Sequence, residues 1–163
     1  MKTLIIVRHG KSDWDFQSIK DIDRTLKERG IRDAYEMAGR LLEKNLIPES
    51  IISSTANRAF HSALIFSRVL NISGEKIIPE KKLYLADEDD ILSVIYACSD
   101  SINTLMIFGH NPGFTDIVNY LSNLNIMNVP TTGVVVLEFN IDSWTSISKS
   151  CIEGEYFDFP RKV

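Results

Sequence analysis

Three strand-length apolar runs, each ending in polar or charged residues, constrain this chain more than any other feature. Thr3 to Val7 leads into Arg8-His9-Gly10, Ile51-Ile52-Ser53 into Ser54 and then Arg58, and Thr104 to Phe108 into Gly109-His110-Asn111. Short continuous apolar runs without polar alternation suit strands covered on both faces. Helix-period segments lie between them. Thr25-Leu26-Lys27-Glu28 reads as a capping box opening a helix. In that helix Ile31, Ala34, Met37, Ala38, Leu41 and Leu42 share one face, with Arg32, Asp33, Glu36, Arg40 and Glu43 opposite. Asn45 and Pro48 close it. A second helix runs from about Arg58 to Leu70, and a third over Ile91 to Cys98 behind the acidic run Asp87 to Asp90, which suits a helix N-terminus. A short fourth helix spans about Phe114 to Leu121. Ile77-Ile78 is a short strand in the connector 71–90, and the tail holds a strand at Val134 to Phe139 and an edge strand at Ser146 to Cys151. This alternation predicts an α/β fold: a mainly parallel central sheet with helices on both faces.

The length of 163 residues fits one domain, 1–163, with no internal repeat or linker composition. A chain of this size buries about 68–70% of its unfolded surface and needs no disulfide or metal staple. A net charge of −4 excludes a strongly basic nucleic-acid binder on overall charge, yet permits a local cationic pocket. The N-terminal apolar run is too short for a signal peptide, and no stretch approaches the ~18 apolar residues of a membrane span. Cys98 and Cys151 form no C-x-x-C pair, and free thiols fit a reducing cytoplasm. The expectation is a cytoplasmic protein with no nucleic-acid or membrane partner, and its oligomeric state is open.

In an open parallel sheet, ligands bind beyond the carboxyl ends of the strands. Two of the three histidines, His9 and His110, occupy such ends, together with Arg8 and, one helix turn past the second strand, Arg58. Gathering both imidazoles and both arginines at one edge suits a phosphoryl group, because a guanidinium fork matches phosphate oxygens. Arg58 adds the free N–H groups of a helix start. The third histidine, His61, reads as a packing or surface residue.

At these residues the sequence resembles the histidine phosphatase superfamily, also called phosphoglycerate-mutase-like, and within it the short SixA-type phosphohistidine phosphatases. The resemblance runs through Leu4-Ile5-Ile6-Val7-Arg8-His9-Gly10-Lys11-Ser12-Asp13-Trp14, Asp23-Arg24, Leu26 and Glu28-Arg29-Gly30. It continues with Ser53-Ser54, Arg58-Ala59, Ser62-Ala63, Leu83-Tyr84 and Gly109-His110-Asn111-Pro112-Gly113, and closes with Pro130-Thr131, Gly133, Trp144 and Pro160-Arg161. It implies that His9 is the nucleophile, forming a phosphohistidine enzyme that water hydrolyses. It implies too that Arg8, Arg58 and His110 hold the phosphoryl oxygens. The arginines should depress the pKa of His9, leaving the lone pair that attack requires. They also supply the cationic charge, so no metal or other cofactor is expected.

Two departures from the wider superfamily bear on the substrate. Asp15 stands where many members have an Asn that contacts phosphate, and it is left out of the site. The Glu that serves larger relatives as leaving-group acid has no clear counterpart. Asp87 and Glu88 are the nearest candidates, with helix capping as their simpler role. A missing acid favours a phosphoramidate, because an alkoxide needs a proton whereas imidazole leaves readily. The expectation is therefore a phosphatase acting on phosphohistidine carried by a protein. The minimal chain, with little between Arg58 and His110 for a capping insertion, predicts a shallow pocket. Three alternatives stand beside it. One is a small-molecule phosphomonoesterase using Asp87 or Glu88. Another is a non-catalytic module that binds phosphate or phosphohistidine. The last is a magnesium-dependent aspartyl phosphatase, from the D-x-D-x-T pattern at Asp21 to Thr25.

Overall fold

The computed structural model describes residues 1–14 and 18–161; Asp15 lies outside the described residues. Six strands form one sheet: β1 (Lys2–Arg8), β2 (Ser50–Ser53), β3 (Ile77–Pro79), β4 (Thr104–Gly109), β5 (Val134–Phe139) and β6 (Ile152–Asp158), in the order β3-β2-β4-β1-β5-β6. The pairs β2–β3, β2–β4 and β1–β4 are parallel, whereas β5 and β6 continue the sheet antiparallel. The expected mainly parallel α/β sheet is what forms.

Helices α1 (Glu28–Glu43) and α2 (Asn57–Val69) cover one face, and α3 (Glu88–Tyr96) and α4 (Gly113–Leu121) cover the other. Alternate residues of β1 therefore enter different cores. Ile5 and Val7 pack with Met37, Ala38 and Phe66, while Leu4 and Ile6 join Ile91, Ile95 and Ile117. Burial on both sides explains the unbroken apolar run, since neither face needs polar residues.

Three local expectations are corrected. Helix α1 begins at Glu28 behind Lys27, without a side-chain cap, so Thr25 and Glu28 form no capping box. The preceding segment instead pairs with the loop after β1. Asp13 N–H donates to the Thr25 carbonyl and Lys27 N–H to the Lys11 carbonyl, at 2.8 and 2.9 Å, which keeps this stretch extended. Within α1, Asp33 is buried against Arg161 at 2.9 Å, and Leu42 is exposed. At the tail, Ser146 to Cys151 is not the edge strand. Single 3-10 turns occupy Trp144–Ser146 and Lys149–Cys151, where Ser143 and the Ser148–Ser150 pair bond locally, and β6 follows them.

Candidate active site

Strand register brings the two histidines together. Arg8 of β1 pairs with Gly109 of β4, so His9 and His110 each follow the last residue of neighbouring parallel strands. Their ring centres lie 5.0 Å apart. On the other side of β4, Ser53 pairs with Phe108, which sets Ser54 beside the same edge, and Ser54 Oγ lies 2.7 Å from His110 Nε2. Arg58 enters from the first turn of α2, whose Ser62 hydroxyl donates to the Arg58 carbonyl and accepts from Gly10 N–H. All four residues read from the sequence, Arg8, His9, Arg58 and His110, line one cavity of about 280 Å³.

His9 is buried and pinned. Its Nδ1 lies 2.7 Å from the Gly10 carbonyl, and since a carbonyl only accepts, Nδ1 carries the proton and Nε2 the lone pair. Burial pushes the His9 pKa down to about 3, helped by the charges of Arg58, Arg8 and Arg24 and opposed by the Gly10 hydrogen bond. His110 is likewise lowered to about 3, by burial first, then by His9 and Arg58. Both imidazoles are thus neutral near pH 7. Arg8 Nε, Arg58 Nε and His110 Nδ1 are buried with no hydrogen-bond partner among the described residues. Unmet buried polar groups cost about 1–3 kcal/mol each, so three around one cavity favour an oxyanion that meets them.

Residues to which the sequence reading gave no role in this cavity complete the site. Asp21, in a single 3-10 turn (Asp21–Asp23), is the carboxylate that lines the cavity among the described residues. Its Oδ1 accepts from Arg24 Nε at 3.0 Å, and its Oδ2 from Arg58 Nη2 at 3.1 Å and from the Tyr84 hydroxyl at 2.5 Å. Burial raises the Asp21 pKa, but the Tyr84 hydrogen bond and Arg58 outweigh it and hold the carboxyl at about 2. The Tyr84 hydroxyl is raised, by burial and by its bond to Asp21. Tyr84 also packs edge-on against His110, with ring centres 5.5 Å apart. The signal available in the sequence was the acidic D-x-D-x-T stretch. In the fold, however, the described residues directly ahead of it, Ser18 to Lys20, form no strand, and its first Asp is engaged by two arginines and a tyrosine, which counts against the aspartyl-phosphatase reading.

Neither candidate leaving-group acid lines the cavity. Asp87 caps α3: its Oδ1 accepts from Asp90 N–H at 2.9 Å, and Asp90 Oδ2 accepts from Asp87 N–H at 3.2 Å. Glu88 sits in the first turn of that helix. The acidic run serves the helix terminus. His61 faces a separate surface depression with Phe60 and Leu64. Among the described residues no group of three or more His, Cys, Asp or Glu side chains could hold a metal ion, and no helix is long and apolar enough to cross a membrane.

Fold and site together define an α/β protein with a cavity at the carboxyl edge of its sheet that is lined by two histidines and three arginines. Residues 4–83 match the family model described as histidine phosphatase superfamily (branch 1). An uncharacterized protein of Mycobacterium leprae is 30% identical over 95% of this chain and 100% of its own length. A structure assigned as the phosphohistidine phosphatase SixA of Agrobacterium tumefaciens superposes with a TM-score of 0.76 at 27% identity, covering 85% of this chain and 92% of that one. The protein histidine phosphatase SixA solved with tungstate gives 0.76 at 18% identity, over 96% and 94% of the two chains. The chain belongs to the histidine phosphatase superfamily, and its fold is that of the SixA and phosphoglycerate-mutase-like structures.

Proposed function

We propose that this protein is a phosphatase that takes the phosphoryl group from a phosphohistidine on a protein, through a phosphorylated His9. The observation that carries this reading is the state of His9: neutral, with Nδ1–H given to the Gly10 carbonyl and Nε2 free beside Arg8, Arg58 and His110. In the first step the Nε2 lone pair attacks phosphorus and the P–N bond of the substrate breaks. The substrate ring leaves as neutral imidazole, keeping the proton that protonated phosphohistidine carries. Water then attacks the phosphorus of phospho-His9, the P–Nε2 bond breaks, and inorganic phosphate departs. Arg8, Arg58 and His110 hold the phosphoryl oxygens in both steps, which is catalysis by positioning and preorganised charge.

Among the described residues no neutral carboxylic acid lines the cavity, which favours the phosphoramidate over an ester. Asp21, the cavity carboxylate, is ionised over the working range, and Asp87 is spent on capping α3. An alkoxide would leave without a donor, whereas imidazole needs none. The same facts count against the small-molecule phosphomonoesterase. The free thiols of Cys98 and Cys151 fit a reducing compartment such as the cytoplasm. The deciding experiment compares a phosphohistidine protein with simple phosphate esters, in the intact chain and in His9→Ala. Faster turnover of the phosphoprotein, an acid-labile phosphoryl group on His9 during turnover, and loss of both in His9→Ala are expected. Faster hydrolysis of sugar phosphates overturns the substrate assignment, and tight phosphoprotein binding without turnover points to the binding module.

A further inference from the structure

Of the residues that line the cavity beside its arginines, the two most exposed are apolar, and the chemistry above makes no use of them. Trp14 and Leu85 line the same cavity as His9 and Arg58, and they are 65% and 64% exposed. Trp14 is seated on Arg24, whose guanidinium carbon lies 3.3 Å from the centre of an indole ring. Arg24 in turn is bound to Ser12 and Asp21, so the indole rests on the anion site itself.

Leu85 is held outward by its backbone. Its φ is 52°, in the left-handed region that crowds the Cβ of an L-residue. Both neighbours are anchored. The Tyr84 hydroxyl is bonded to Asp21. Ala86 is packed in the core under α4, where a Cβ on Gly113 would come within 2.1 Å of the Ala86 carbonyl oxygen. The strap is therefore fixed at each side of Leu85, and the leucine stands at its crest in water. Asn would adopt this backbone with less strain and expose less apolar surface. A strained, exposed leucine at the mouth of a charged site gains nothing from the folded chain alone, which points to something that covers it.

We propose that Leu85 and Trp14 form an apolar docking rim for the protein surface around the substrate phosphohistidine, selecting a protein-borne phosphoryl group over a small phosphorylated molecule. The proposal rests on the phosphohistidine phosphatase reading and adds what chooses the carrier. A histidine side chain is short, so a phosphoryl group delivered to Arg58 brings the carrier's neighbouring side chains against the rim. Free phosphohistidine has no such neighbours and leaves both rim residues in water.

The test compares Leu85→Asn and Leu85→Met with the unaltered chain on two substrates. One is a small helical protein phosphorylated on a single surface histidine, and the other is free phosphohistidine. In Leu85→Asn the ratio of kcat/KM for the protein to that for free phosphohistidine falls about 10-fold, through KM, which corresponds to about 1.4 kcal/mol. Leu85→Met restores most of that ratio. The thermal midpoint of Leu85→Asn stays equal or rises, since Asn relaxes the strain, and this separates lost docking from lost folding. In a His9→Ala background, a tryptophan-free phosphorylated carrier shifts the emission of Trp14 to the blue, while Trp144 is already fully buried. Equal losses on the two substrates, or an unchanged ratio, overturn the docking rim. If the unaltered chain hydrolyses neither substrate, the phosphohistidine reading itself falls.

Discussion

Arg58 and Asp21, 37 residues apart in sequence, are joined twice: Arg58 Nη1 donates to the Asp21 carbonyl at 2.7 Å and Nη2 to the Asp21 carboxylate at 3.1 Å. One end of the Arg58 guanidinium is thereby fixed before any ligand arrives, and among the described residues its buried Nε has no hydrogen-bond partner. Tyr84 and Arg24 hold the same carboxylate, so the turn at Asp21–Asp23 works as a clamp on the anion site.

Removing that clamp should cost turnover more than affinity. In Asp21→Ala, Arg58 keeps its charge and loses the side-chain partner that orients it. Misplacement of a catalytic group by about 1 Å costs about 100-fold, and a fall in kcat of about 10- to 100-fold is expected. KM should change by less than about 3-fold, because a repelling carboxylate departs along with the clamp. Steady-state kinetics of the variant separates the two; a KM effect larger than the kcat effect assigns Asp21 to binding instead.

The protonation of the histidines can be read directly. An ordinary imidazole, with a pKa of about 6.5, is mostly charged at pH 6. His9 and His110, held at about 3 chiefly by burial, should both be neutral there. Nitrogen NMR should show His9 as the Nδ1–H tautomer. A charged ring, or a proton on Nε2, removes the nucleophile from the proposed mechanism.

Those same shifts make the fold sensitive to acid. Between about pH 6.5 and 3 the unfolded chain takes up protons at His9 and His110 that the folded chain refuses. The unfolded state binds more protons, so stability rises with pH in this window. It is complete above about 6.5 and is lost progressively as the pH falls toward 3. The depressed carboxyl of Asp21 adds a loss of the same sign at still lower pH. Denaturant titrations should therefore show stability a few kcal/mol lower at pH 4 than at pH 7. The double variant His9→Gln, His110→Gln should flatten that dependence. An unchanged slope in the variant places the acid lability elsewhere.

Gly30 tests how the loop after β1 is seated. A Cβ at this position would lie 2.3 Å from the Lys11 carbonyl oxygen, a backbone atom that cannot step aside alone. Gly30→Ala should cost about 1–3 kcal/mol of stability. It should also lower kcat/KM, since Lys11 and Ser12 line the anion cavity. Thermal unfolding and activity of the same preparation check both; an unaffected midpoint means that α1 shifts to accommodate the methyl group.

Apolar patterning along the chain specified five of the six strands and put the four candidate site residues at one edge of the sheet. Apolar runs such as Leu4 to Val7 and the helical period through Ala34, Met37, Ala38 and Leu41 record burial on known faces, and burial patterns are local. Parallel neighbouring strands then oblige His9 and His110 to meet, because residues that follow the last positions of paired strands share one edge. Tertiary structure alone decided the rest. Asp21 reaches Arg58, Tyr84 packs on His110, and Leu85 stands strained at the rim through contacts between loops that obey no period. The expected cap at Thr25 failed for the same reason, since pairing with the segment after β1 claimed its backbone. Regular elements repeat their hydrogen bonds and so leave a pattern in the chain. Loop contacts are made once, between residues far apart, and only the folded chain brings them together.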